Sequence, residues 1–297
     1  MILRIVILCL SLGAVVGAQP VEPTHRDVAY GENPRNRLDL WIAPGDSPRP
    51  LLIYIHGGAW NANDKDQVQG RVPIADWLAK GVSVASVNYC YSREAPLPAP
   101  VHDVARAIQF LRYNALEYQV DPERIALQGG SAGGCTSLWI LFHDDMADPL
   151  ATDPVLREST RVSGAYGQSA QTSIDPRVLK NWIGETAAAN GMLFRAVGSA
   201  NYADLMNKYD QHKPLLDEFS PITHLDAGDP PAYLSYPADM TLPPATPAAA
   251  IHHGMFGLEF KKVADAVGYP CILAIPGATD PGQSAIEFLD SVLKGVE

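Results

Sequence analysis

From Arg37 onward the chain repeats one pattern: a short apolar run, then a helical stretch, then another apolar run. The runs are LDLWIA, LLIYIHGG, VSVASVNY, RIALQGG, VSGAY, AYLSY and CILAIPG. Several are near-continuous in apolar and β-branched residues, as strands buried on both faces of a parallel sheet are. Between them, residues 101–117 place Val101, Val104, Ala105, Ile108, Leu111 and Leu116 close to helical spacing. Residues 74–80, 260–267 and 285–293 read as further helices. This alternation predicts an α/β fold with a doubly wound, mostly parallel sheet, whose ligands sit at the carboxyl ends of the strands.

With 297 residues, 47% of them apolar, the chain is long enough for one large α/β domain. A formal charge of −11, with no concentrated basic segment, argues against a nucleic-acid partner. Residues 1–18 read as a secretory signal. Arg4 precedes an apolar run over residues 5–12, and Val16 and Ala18 occupy the −3 and −1 positions of a cut before Gln19. That run is too short for a stable membrane span, and Cys9 lacks the small preceding residue of a lipidated cysteine. The expectation is a secreted or periplasmic protein whose domain covers residues 19–297, with insertions near 144–161, 187–216 and 237–254, the second of them part of a cap. Cys90, Cys135 and Cys271 show neither CxxC nor CxH spacing, so buried thiols are expected, with one pairing left open and no metal site.

The most informative stretch is RIALQGGSAGG, residues 124–134. Gly129-Gly130-Ser131-Ala132-Gly133 is a G-x-S-x-G pattern that follows an apolar strand and precedes the helical CTSLWILF. This is the strand–turn–helix context in which such a serine serves as a nucleophile, although the same pattern also serves as a helix cap after a glycine turn. At the start of a helix, the backbone N–H of Ala132 is available to a developing oxyanion. In LLIYIHGGAW a second strand runs into His56-Gly57-Gly58-Ala59-Trp60. The glycines let Gly57 and Gly58 turn their N–H groups toward a shared point, completing an oxyanion hole, where the bland alternative is an ordinary Gly-Gly turn. His56 is expected beneath the turn, holding it.

These two motifs, in this order and about seventy residues apart, resemble the α/β-hydrolase superfamily. The likeness is to its esterase/lipase branch, with hormone-sensitive-lipase-like and bacterial feruloyl- or acetyl-esterase-like proteins, and it extends over residues 27–293. The resemblance implies the α/β-hydrolase fold, a serine nucleophile, an acid after AYLSY and a histidine after CILAIPG. It places the acid at Asp239, four residues before Pro243, with Asp175 after VSGAY as the alternative.

The chain departs from the resembling family at the histidine. Its PGATDPG segment has Asp280 near the expected position, and no histidine follows His253. A carboxylate, with a pKa of ~4, is a weak base at neutral pH and lacks the second nitrogen through which an acid orients imidazole. His252 and His253, in an enlarged loop before Gly254, are the remaining candidates, because a catalytic triad is defined by geometry and not by chain order. His253 is the first choice and His252 the alternative; their competing role is to cap or pack under the next helix.

Two functions from different classes follow. The first is an exported serine carboxylic-ester hydrolase for small or short-acyl esters, including acyl groups on polysaccharide, needing no cofactor, with Trp60 and Tyr89 near the pocket. The second is a catalytically impaired hydrolase-like protein that binds a small ligand above Ser131. Oligomeric state is not legible in the sequence.

Overall fold

A computed structural model describes residues 20–295; the expected signal segment, residues 1–18, lies outside them. Eight strands form one sheet: β1 His25–Ala29, β2 Arg37–Trp41, β3 Arg49–Ile55, β4 Ser83–Val87, β5 Val120–Gly130, β6 Gly164–Gln168, β7 Ala232–Ser235 and β8 Ile272–Ala274. Their spatial order is β1-β2-β4-β3-β5-β6-β7-β8. The pairs β1/β2 and β2/β4 are antiparallel, and every pair from β4 to β8 is parallel. The mostly parallel α/β architecture expected from the alternation is therefore present. The seven apolar runs supply β2 to β8.

The helices are α1 Ile74–Ala79, α2 Ala99–Tyr113, α3 Ala132–Phe142, α4 Pro176–Trp182, α5 Glu185–Ala188, α6 Gly191–Ala196, α7 Tyr202–Asn207, α8 Tyr209–Glu218, α9 Pro247–Ile251, α10 Met255–Val267 and α11 Ala285–Lys294. Side chains alternate across a strand, so β3 serves both faces of the sheet. Leu51, Ile53 and Ile55 join the larger core with Val101, Ile108 and Leu138 from α2 and α3. Leu52 and Tyr54 join the smaller core with Trp77 of α1 and Phe288 and Leu293 of α11. Among the described residues no helix is long and apolar enough to cross a membrane.

Two elements differ from the sequence expectation. The sheet begins one strand earlier, at β1, whose HRDVA sequence is half exposed at the sheet edge and carries no apolar signature. The enlarged loop expected before Gly254, rich in Pro and Ala, also contains α9, whose N-terminus is capped by the Thr246 side chain with Pro247 as the first helical residue. Cys90, Cys135 and Cys271 are free and buried, and burial pushes the Cys90 and Cys271 thiols up to about 12.

Candidate active site

Strand β5 ends at Gly130 and α3 begins at Ala132, leaving Ser131 on the turn between them with φ 54° and ψ −124°. A side-chain-bearing residue pays a strain cost at such a φ, and it persists only where surrounding structure enforces it. Here the enforcement comes from close backbone packing. A Cβ on Gly133 would lie 2.1 Å from the Ile55 carbonyl oxygen, and one on Gly129 would lie 2.3 Å from the Gly133 carbonyl. Only glycine fits at either place, so the turn seats against the end of β3. The Ser131 N–H donates to Gln168 O at 2.8 Å, which ties the turn to β6.

The loop after β3 lies against this turn. A Cβ on Gly57 would be 2.7 Å from Gly130 O and 3.4 Å from Ser131 Cβ. No backbone hydrogen bond among the described residues uses the N–H of Gly57 or Gly58, and Ala132 heads α3, where N–H groups have no intrahelical acceptor. The loop is fixed from below and from the side. His56, fully buried, stacks on Tyr89 with ring centroids 4.3 Å apart, and its Nδ1 lies 2.8 Å from Gly57 O. Burial lowers the His56 pKa to about 4, so the ring is neutral at pH 7. Trp60 Nε1 donates to Thr136 Oγ1 at 2.9 Å, pinning the loop to α3.

Of the two adjacent histidines, the structure brings His252 to Ser131. His252 Nε2 stands 2.8 Å from Ser131 Oγ. His253, the first choice from sequence, is 2% exposed and points into the protein, where its Nδ1 accepts from Met255 N at 3.1 Å. The reason is positional. His252 closes α9 and keeps its side chain on the cavity side, whereas His253 satisfies an N–H at the start of α10. Gln171 Nε2 donates to Ile251 O at 2.6 Å and holds the end of α9 in place. Burial lowers the His252 pKa, while the Ala248 backbone carbonyl opposes that shift.

The structure does not bring either candidate acid to His252. Asp239 is exposed, and its carboxylate accepts from Thr241 N at 3.0 Å, closing a local turn in the loop after β7. Asp175 is buried and caps α4, accepting from Arg177 N at 2.8 Å and from Tyr209 OH at 2.6 Å. At the usual histidine position, Asp280 accepts from Gly282 N at 3.0 Å within an exposed turn.

Ser131, His252, Gly57 and Gly58 line one cavity of about 810 Å³. Its size is that of a small-molecule site. The segment expected as a cap contributes Asn190 and Met192, and the enlarged loop contributes Ala248, Ala249 and Ile251 beside His252. Trp60 and Tyr89, expected near the pocket, are buried in the core and do not line it; the aromatic lining comes from Tyr54 and Tyr236. Arg71, Gln67 and Gln168 also line the cavity, and no sequence motif marked them.

Residues 38–246 match the BD-FAE family. The chain belongs to this family, within the esterase/lipase branch of the α/β-hydrolase superfamily. It is 28% identical to Esterase LipQ of Mycobacterium tuberculosis over 212 residues, covering 70% of this chain and 47% of that protein. To the Probable carboxylic ester hydrolase LipM of the same organism it is 31% identical over 236 residues, covering 75% and 49% respectively. The chain thus spans about half the length of these curated relatives. Among solved structures it resembles the "Truncated form of carbohydrate esterase from gut microbiota", with a TM-score of 0.72 at 20% identity over 93% of this chain and 99% of that one. The acetyl ester-xyloside bifunctional hydrolase from Caldicellulosiruptor lactoaceticus gives a TM-score of 0.64 at 23% identity, covering 80% of this chain and 76% of that one. At these identities the two structures show a shared fold.

Proposed function

We propose that this protein is a serine carboxylic-ester hydrolase that uses Ser131 as nucleophile and His252 as general base. The observation that carries the proposal is the 2.8 Å approach of His252 Nε2 to Ser131 Oγ, on a turn held at a strained φ. Neutral His252 accepts the Ser131 hydroxyl proton at Nε2 as Oγ attacks the ester carbonyl carbon. The N–H groups of Gly57, Gly58 and Ala132 receive the negative charge that develops on the carbonyl oxygen. His252 then returns the proton to the departing alcohol, leaving an acyl-serine. Water, deprotonated by His252, attacks that acyl carbon and releases the acid and free Ser131.

In this mechanism the Ala248 backbone carbonyl, which favours the protonated ring, stands where a carboxylate usually does. A carbonyl stabilises the imidazolium less than a full negative charge does, so turnover is expected to be slower than in a complete triad. The descriptions of the curated relatives as an esterase and a probable carboxylic ester hydrolase support the same reaction class. Polar lining by Gln67, Arg71, Gln168 and Asn190 suits a hydroxyl-rich ester such as an acylated sugar.

The test is incubation of the protein with 4-nitrophenyl acetate, followed by release of 4-nitrophenol and by intact mass. Wild type should turn over and show a transient acetyl adduct on Ser131, and Ser131→Ala should do neither. Equal rates in the two proteins would overturn the proposal.

A further inference from the structure

Arg71 follows a short turn of helix over Lys65–Gly70 and contributes to the cavity wall shared with Ser131 and His252. The cavity has no aspartate, glutamate or lysine in its lining, so with His252 neutral Arg71 is the single charged group that faces it. This is unusual placement in a chain with a net charge of −11, in which several other arginines are occupied. Arg106 pairs with Asp153, Arg35 with Asp64, Arg112 donates to backbone carbonyls, and Arg177 lies over the Tyr209 ring. Among the described residues the Arg71 guanidinium has no ion pair, hydrogen bond or ring stack; only its backbone is engaged, the N–H donating to Val68 O at 3.0 Å and the carbonyl accepting from Gln128 Nε2 at 3.3 Å. The neighbouring Tyr54, 3% exposed, turns into the same cavity and has no partner for its hydroxyl among the described residues.

A guanidinium presents a fork of donors that matches a carboxylate, and a phenol hydroxyl beside it adds a further donor. We infer that the substrate is an ester carrying a carboxylate, which Arg71 engages while the ester carbonyl lies at Ser131. This inference rests on the ester-hydrolase reading and specifies its substrate class. The carboxylate belongs either to the alcohol half, as in an O-acetylated sugar acid, or to the acyl half, as in a dicarboxylic acid monoester. Both meet the same guanidinium.

The experiment compares matched pairs in each protein. The alcohol-half pair is O-acetylated glucuronic acid against O-acetylated glucose; the acyl-half pair is mono-4-nitrophenyl succinate against 4-nitrophenyl butyrate. In wild type, one charged member should exceed its neutral partner in kcat/KM by at least about 5-fold at low ionic strength, the upper range of an exposed ion pair. The pair that shows it identifies the half bearing the charge. The preference should fall toward 1 in Arg71→Gln, persist in part in Arg71→Lys, and weaken with added salt. Hydrolysis of the neutral members without preference for either charged one would overturn this inference and leave the ester-hydrolase reading standing. A preference that survives in Arg71→Gln would also overturn it. Failure to hydrolyse any of the four would overturn both.

Discussion

His252 Nε2 and Ser131 Oγ lie 2.8 Å apart although 121 residues separate them in the chain. The histidine arrives from the end of α9, in an enlarged loop between β7 and α10, and not from the turn after β8. A base from a different loop needs a different support, and here the Gln171 bond to Ile251 O holds the end of α9 from which His252 projects.

Asp239 makes its hydrogen bond to Thr241 and none to His252 among the described residues. Asp239→Asn should therefore lower kcat on 4-nitrophenyl acetate by less than about 10-fold, where loss of a working triad acid costs about 10⁴-fold. Steady-state kinetics of the purified variant decide between the two.

Activity needs neutral His252, whose pKa burial lowers below its ordinary 6.5. Protonation on acidification removes the base, so kcat/KM should fall on the acid side with a midpoint below 6.5. A pH–rate profile on an uncharged ester reads this directly; a midpoint above 6.5 would contradict the burial of the ring.

His56 stays neutral in the folded protein down to about pH 4, whereas an unfolded histidine takes up a proton near 6.5. Between those values the unfolded chain binds the extra proton, so His56 contributes a loss of stability as pH falls through this window. Its full size is roughly 3 kcal/mol. Urea unfolding at several pH values should show a shallower acid slope in His56→Gln than in wild type, whatever the variant's stability at pH 7.

Gly133→Ala drives a Cβ to 2.1 Å from the Ile55 carbonyl oxygen, an atom of the central strand that cannot yield. The substitution should destabilise the fold by more than about 3 kcal/mol. Gly70→Ala, where a Cβ meets nothing within 4 Å, should stay within about 0.5 kcal/mol of wild type. Unfolding midpoints of the two variants give the comparison.

Much of the framework was legible because parallel strands buried on both faces leave long apolar runs, and because the turns around Ser131 and Gly57 admit only glycine at their close approaches. β1 escaped notice as a polar edge strand, and α9 was masked by the Pro- and Ala-rich composition around it, though Thr246-Pro247 is a recognisable helix start. Which of two adjacent histidines faces Ser131 depends on where α9 ends and α10 begins. That one-residue boundary sends His252 to the cavity and His253 to the interior, and no local signal in IHHG fixes it. Arg71 and Gln168 reach the cavity only through the sheet order, which places the ends of β3, β5 and β6 side by side.

The pairing of Ser131 with His252 is tested most directly by kcat on 4-nitrophenyl acetate for His252→Gln and His253→Gln side by side. Loss of the base should lower kcat by about 10²- to 10⁴-fold in His252→Gln. His253→Gln should retain kcat within a few-fold in the fraction that stays folded, because its ring touches Met255 and not the serine. A His252→Gln enzyme as active as wild type, or one surpassed in its loss by folded His253→Gln, would contradict the assignment.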